Sequence, residues 1–286
     1  MTRHLPFVIV DVFTPRPFAG NQLCVVTDPG DLDPDGMLRL AREIAFSETT
    51  FVTEASPDRY AMRIFTPDEE LPFAGRPTLG TAYVLASSGA IGSSATQVVA
   101  AGEIPVEVDV AANEASMTQL PPVFGEPFED RELVSRAAGL EPSDLVEDLP
   151  VQTVSTGLPP LIVPVRDLET LRRATNDQSL VARVCETSGG EELYLFALGE
   201  GAVTARFFGA TPAIVEDPAT GSAAGPLGAY LAEHGLAGMP GGVLIRQGEQ
   251  VGRPSELHVD VERAGEEWRI RVGGGVHVVA RGAWTT

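Results

Sequence analysis

Two carboxylates, Glu216 and Asp217, lead into the small residues Pro218-Ala219-Thr220-Gly221-Ser222-Ala223-Ala224-Gly225-Pro226, and then Leu227, Tyr230 and Leu231 recur at helical spacing. Apolar Ala213, Ile214 and Val215 lie just upstream, so the pattern reads as strand, tight turn, helix start. The first backbone N–H groups of a helix have no intrahelical acceptor and favour an anion. Gly221, Ser222 and Ala223 are small enough to let a ligand reach that backbone. The chemistry on offer is capture of an anionic group beside an acidic side chain. A core helix capped by Asp217 accounts for the same residues, and these residues alone do not separate the two readings.

A second segment repeats the order. Residues 62–86 run from Met62-Arg63-Ile64-Phe65 through Asp68-Glu69-Glu70 to Phe73-Ala74-Gly75-Arg76-Pro77 and an Ala- and Leu-rich helix. Arg63-Ile64-Phe65 parallels Arg206-Phe207-Phe208, and alignment on Gly75 and Gly221 matches Leu85 with Leu231, Ala86 with Ala232 and Gly89 with Gly235. Two similar halves often hold a site at their interface, with both helix starts facing one ligand.

The 286 residues suffice for one large domain or two ordinary ones, expected here as 1–124 and 125–286, with the C-terminal strand free to cross back. At 43% hydrophobic the chain can fill packed cores, yet no apolar run approaches the ~20 residues of a membrane span. Met1 to Pro17 moves straight into a strand pattern and lacks the basic start and cleavage site of a signal peptide, which points to the cytosol. Cys24 and Cys185 give neither metal spacing nor a disulfide framework, and Cys24 reads as a buried thiol. A formal charge of −20 argues against nucleic acid as a partner, and it requires a local positive site for any anionic ligand.

Strands are expected at 7–13, 22–27, 50–53, 60–66, 96–100, 104–110, 151–156, 160–165, 192–198, 203–208, 243–246, 256–262, 267–272 and 276–281. Helices are expected at 35–45, from Pro77 to Ser87 with Gly89 as the stop, near 129–138, and at 222–234. Pro121–Pro127 is the best linker candidate. This is an α+β composition with antiparallel or mixed sheets, each half mostly strands with one central Ala-rich helix.

Spaced motifs through most of the chain carry a resemblance. They are Asp11-Val12-Phe13 with Phe18-Ala19-Gly20-Asn21, Ala41-Arg42-Glu43 with Phe46-Ser47-Glu48-Thr49-Thr50-Phe51-Val52, Arg63 to Pro67 with Glu70 to Gly75, Val215 to Leu227, and Gln247-Gly248 with Gly252-Arg253-Pro254. In these the chain resembles the PhzF group of phenazine-biosynthesis isomerases, which share the diaminopimelate epimerase-like fold. The resemblance implies two similar halves, each a sheet rolled around a central helix. It also implies an active site in the cleft between them, a homodimer, and no cofactor and no metal. Family chemistry is proton transfer on a dihydro-hydroxyanthranilate ring, and Glu48 holds the place of the glutamate that removes and returns the proton. One carboxylate can serve as base and then as acid in a closed site. From the residues alone, Glu48 between Ser47 and Thr49 reads as an exposed strand-end residue. Asp217 matches the second acidic residue of the site. Gly75, Gly221 and Ser222 match substrate-binding positions at the helix starts. Glu70 reads as solvated or as a turn former.

The chain departs from the family where Ala74-Gly75-Arg76-Pro77 stands for the usual Ala-Gly-His-Pro. Arginine does no acid–base work near pH 7, but it binds carboxylates bidentately. Arg76 is therefore a candidate for substrate binding. Close to Glu48 it would hold the carboxylate ionised and weaken it as a base; an exposed Arg76 with no role is the other option. None of His4, His234, His258 and His277 lies in a motif that replaces the missing histidine. Fold relatives that racemise amino acids use a cysteine at each helix start, and neither start here has one. Two functional readings follow: a cofactor-free isomerase acting on a small cyclic or amino-acid-like carboxylate, or a carboxylate-binding protein that lost catalysis with the histidine. A purely structural oligomerisation protein fits the motifs poorly.

Overall fold

The computed structural model describes residues 4–99, 102–211, 214–236, 241–265 and 267–285. Ala213, and residue 100 at the end of an expected strand, lie outside the described residues. In chain order the elements begin β1 (His4–Val12), β2 (Asn21–Val26), α1 (Pro34–Ile44), β3 (Thr49–Ser56), β4 (Arg59–Phe65), β5 (Glu70–Leu71) and α2 (Gly75–Ser87). Next are β6 (Ser94–Val99), β7 (Gly102–Asp109), β8 (Glu114–Gln119), β9 (Val123–Pro127), α3 (Arg131–Ala137), a 3-10 turn (Pro142–Asp144), β10 (Gln152–Ser155) and β11 (Pro160–Pro164). The chain continues through α4 (Leu168–Arg173), α5 (Gln178–Ser188), β12 (Glu192–Leu198), β13 (Val203–Gly209) and α6 (Gly221–Glu233), and ends in β14 (Gly241–Gln247), β15 (Ser255–Ala264) and β16 (Glu267–Thr285).

Contacts divide the chain into two compact units, Met1–Thr118 with Gly273–Thr286, and Gln119–Val272. In the first, strands run in the order β1-β2-β3-β4-β6-β7-β8-β16, and pairing of β1 with β16 closes them into an eight-stranded barrel. The ladder is mostly antiparallel, with parallel pairs at β2–β3 and β4–β6. In the second, the order is β16-β15-β14-β13-β12-β11-β10-β9, with β11–β12 and β13–β14 parallel. The fold is α+β, and each unit rolls its sheet about one buried helix.

The two central helices are built from small residues because strands surround them. Helix α2 is buried at every position from Gly75 to Leu85. A Cβ at Gly80 would come within 2.6 Å of Leu23, and one at Gly228 of α6 within 2.5 Å of Val259. A helix apolar on all sides belongs inside a core. The other helices carry their apolar residues on one stripe. Met37 and Ala41 of α1 pack with Cys24, Phe51 and Phe65. Helices α3, α4 and α5 cover the outer face of β12 through Val134, Leu171, Val181, Leu193 and Leu195. No helix among the described residues is long and apolar enough to cross a membrane.

Capping separates the two helix classes. Asp33, Asp130, Asp167 and Asp177 cap α1, α3, α4 and α5, each side chain accepting from a first-turn N–H. Helices α2 and α6 start at Ala74 and Thr220, with no side-chain cap bond and no acidic residue in the first turn. Asp33→Ala should lower stability by about 1 kcal/mol, because the Asp33 carboxylate accepts from Gly36 N at 2.7 Å. Urea unfolding measures it, and an unchanged midpoint would show that tertiary packing alone holds the start of α1.

Four expectations need correction. The linker candidate Pro121–Pro127 contains β9, paired with β10. The strands expected at 267–272 and 276–281 are one strand, β16, spanning Glu267–Thr285. The segment between β11 and β12 carries two helices that were not expected, α4 and α5. The central helix of the first unit starts at Gly75, two residues before Pro77.

Candidate active site

The first unit gathers Glu48, Gly75 and Arg76. Glu48 immediately precedes β3, and Arg76 is the second residue of α2, buried to 4% exposure. Its guanidinium donates through Nε to Glu48 Oε2 at 2.9 Å and through Nη2 to the same oxygen. Nη1 donates to Ser47 Oγ at 2.9 Å and to Asn21 Oδ1. Four hydrogen bonds thus occupy most of the five N–H donors of the guanidinium. With side-chain exposures of 3% and 13%, Arg76 and Glu48 form a buried ion pair, which excludes the exposed arginine with no role. Asn21 and Ser47 both fall inside the motifs quoted above, yet nothing in their residue type announced that they would bind this arginine.

The second unit gathers Asp217, Gly221 and Ser222. Asp217 is 8% exposed, and its Oδ2 accepts from Thr220 Oγ1 at 2.8 Å. Gln247 fastens the turn: Nε2 donates to the Asp217 carbonyl at 2.7 Å and to Thr220 Oγ1 at 3.0 Å, while Oε1 accepts from Tyr194 at 2.7 Å and from Thr220 N at 3.3 Å. The Thr220 hydroxyl donates to Asp217 and accepts from Gln247 Nε2, it does not cap α6, and the backbone of Gly221 and Ser222 opens the helix uncapped. Gln119 Nε2 donates to the Gly221 carbonyl at 2.9 Å. Pro226 inside the helix has no N–H, so the Ser222 carbonyl loses its usual partner. Sequence reasoning missed Gln119, and it placed Gln247 in a motif without a role.

The parallel between the two segments extends to their interactions. Arg63 holds Glu70 at 2.7 and 2.5 Å and lies 5.2 Å over the Phe65 ring. Arg206 holds Glu216 at 2.9 and 2.7 Å and lies 4.8 Å over Phe208. Glu70 and Glu216 are therefore arginine partners ahead of the two uncapped helix starts. A cavity of about 760 Å³ in the first unit lies near the far end of α2, lined by Val84, Leu85 and Ser88, and takes no part in the Glu48–Arg76 cluster.

Both thiols are inert. Burial pushes Cys24 and Cys185 each up to about 12, so neither supplies a thiolate near pH 7. All twenty cationic side chains are arginines, and with no lysine in the chain a lysine Schiff base has no residue to form on. The ionisable groups in the two clusters are carboxylates, held by arginine and hydroxyl donors.

A family profile described as phenazine biosynthesis-like protein matches residues 10–282. The trans-2,3-dihydro-3-hydroxyanthranilate isomerase of Pseudomonas fluorescens is 35% identical over 286 residues, covering 96% of this chain and 98% of its own. A Bacillus anthracis phenazine biosynthesis protein of the PhzF family is similar with a TM-score of 0.89 and 28% identity, over 99% of each chain. A probable proline racemase from Agrobacterium radiobacter, 14% identical, is similar in fold alone, with a TM-score of 0.65 over 97% of this chain and 92% of its own. With a profile match over nearly its whole length and a relative above 30% identity across that span, the chain belongs to the PhzF family of phenazine biosynthesis-like proteins, whose curated relatives are described as isomerases.

Proposed function

We propose that the protein is a cofactor-free isomerase that moves a proton on a small cyclic or amino-acid-like carboxylate. Glu48 takes and returns the proton, Asp217 is the second acidic group, and the helix starts at Gly75 and at Gly221-Ser222 receive the ligand carboxylate. Arg76 adds positive charge at the first of those starts. The observation that carries this reading is the capping contrast: four peripheral helices have an Asp cap, and the two central ones leave their first-turn N–H groups uncapped. Such N–H groups favour an anionic ligand. The same reading takes the protein to be a cytosolic homodimer.

The test is incubation with trans-2,3-dihydro-3-hydroxyanthranilate, the compound in the relative's name, in deuterated water. Isomerised product carrying solvent deuterium is expected. A second reading has one observation in its favour. Arg76 donates twice to Glu48 Oε2, which stabilises the carboxylate charge and opposes proton uptake. In that reading the protein binds the carboxylate without turning it over. Tight binding with neither deuterium incorporation nor product would select it.

A further inference from the structure

The cavity of about 760 Å³ in the first unit has its origin in the strand lengths. Strand β2 pairs with β3 over three residues, from Cys24–Thr49 to Val26–Phe51. The chain then turns away through Thr27-Asp28-Pro29-Gly30 toward α1, while β3 runs on to Ser56. Among the described residues, β3 past Phe51 has a partner strand on the β4 side alone. Helix α2 stops at Ser87 and does not fill the gap. The cavity lies there, between the end of α2 and the diverging strands, and its volume is within the usual span of small-molecule sites, about 300–1,000 Å³.

Register decides which of its lining side chains face the barrel interior. A Cβ on Gly80 of α2 would lie 2.6 Å from Leu23, 3.0 Å from Val12 and 3.1 Å from Val10, so these three face the helix. Alternation along β1 puts Val8 on the same inner face, and Val8 pairs with Arg281 of β16. Residues directly across a ladder share a face, so Arg281 is turned inward beside Val8. On β3, Thr50 bonds Thr81 of α2 at 2.9 Å, and Val52 follows it inward. The register shift between Val52 and Glu54 then turns Glu54 outward. It pairs with Ala61, the neighbour of Tyr60, whose hydroxyl points in and donates to the Thr78 carbonyl of α2 at 3.2 Å. Arg63 alternates with Met62 onto the outer face and is fixed to Glu70. Asp28 is folded onto its own turn, accepting from Gly30 N at 3.0 Å. The inner part of the cavity is therefore walled by the buried side chains of Val8, Val52, Val84 and Leu85. Arg281 stands at its mouth, exposed, with no side-chain hydrogen bond or ion pair among the described residues.

We propose that this cavity is a second ligand site, which binds an aliphatic monocarboxylate with its chain against Val8, Val52, Val84 and Leu85 and its carboxylate on Arg281. Aliphatic walls alone would accept any apolar molecule. The guanidinium selects the charge, because it meets a carboxylate with two parallel N–H···O bonds. Glu54 and Asp28, the acids of the lining, do not oppose it from the inner face. Glu48 and Arg76 lie at the opposite end of α2, so this site takes no part in the proton transfer and does not depend on it.

Calorimetry with octanoate, octanol and octylammonium tests it, since the three share a chain and differ in charge. Wild type should bind octanoate more tightly than octylammonium. Arg281→Gln should weaken octanoate about ten-fold or more, the effect of losing hydrogen bonds between charged groups, and leave octanol unchanged. Ser88→Trp puts a bulky side chain in the mouth and should abolish binding of both. Arg281 and Ser88 are exposed, so each variant should keep the wild-type urea midpoint. No binding of octanoate at millimolar concentration, or tighter binding of octylammonium, overturns the assignment. So does an octanoate affinity that is unchanged in Arg281→Gln, which makes the arginine a bystander, or kept in Ser88→Trp, which puts the ligand elsewhere. Deuterium incorporation by the Glu48 cluster is read separately, so failure of the isomerase reading leaves this result untouched.

Discussion

Glu48→Gln should lower the rate of isomerisation by roughly 10²–10⁴-fold, the span associated with loss of a positioned general acid–base. The amide keeps the shape and one oxygen acceptor for Arg76, but it cannot accept a proton from carbon at neutral pH. Affinity for the ligand should change far less than the rate, because the uncapped starts of α2 and α6 are untouched. The substitution also has a structural cost. It leaves the Arg76 guanidinium, 3% exposed, beside a neutral group, and breaking a buried ion pair from one side costs about 3–5 kcal/mol. Rates must therefore be normalised to folded protein, by circular dichroism and by ligand binding on the same sample. A folded, binding-competent Gln variant with the wild-type rate would remove Glu48 as the base.

The sequence carried more of the frame than of the wiring. Helix α1 was legible because Asp33 caps it and Met37, Leu40, Ala41 and Ile44 recur at helical spacing. Helix α5 had the same kind of signal, Asp177 ahead of Leu180, Val181 and Val184, and was passed over. Pro121–Pro127 was misread because proline usually breaks a strand. β9 is the last strand in its order and pairs on one side only, where a missing N–H costs little. The glycines at 273–275 read as a break between two strands. They serve instead to let β16 pass close to other backbone, since a Cβ on Gly275 would meet the Thr14 carbonyl oxygen at 2.1 Å and one on Gly273 the Ala115 carbonyl oxygen at 2.8 Å. Both helix starts were legible from residue type and spacing, and resemblance added Glu48 and a site role for Asp217. It could not show that Arg76 would spend its donors on Glu48, Asn21 and Ser47, because that depends on how β2, β3 and α2 meet in space.

Arg76→His, which restores the family's Ala-Gly-His-Pro, should destabilise the protein by about 3–5 kcal/mol, because Glu48, with its side chain 13% exposed, loses both donors to Oε2. Imidazole is shorter and has at most two N–H donors, so it cannot satisfy Glu48, Asn21 and Ser47 together. Two measurements separate structure from chemistry. The first is a double-mutant cycle by urea unfolding. If the guanidinium and the carboxylate stabilise mainly each other, Glu48→Gln combined with Arg76→Met should cost much less than the sum of the two single changes. Additive costs would mean that Arg76 stabilises the first unit mainly through Asn21 and Ser47. The second is the isomerase assay, corrected for folded fraction. If Arg76 restrains Glu48 by stabilising its charge, Arg76→His should turn over dihydro-hydroxyanthranilate faster than wild type in spite of its lower stability. If wild type is already the faster enzyme, the ion pair is part of the working base, holding the carboxylate in place for proton transfer, and the missing histidine is no loss to this chain.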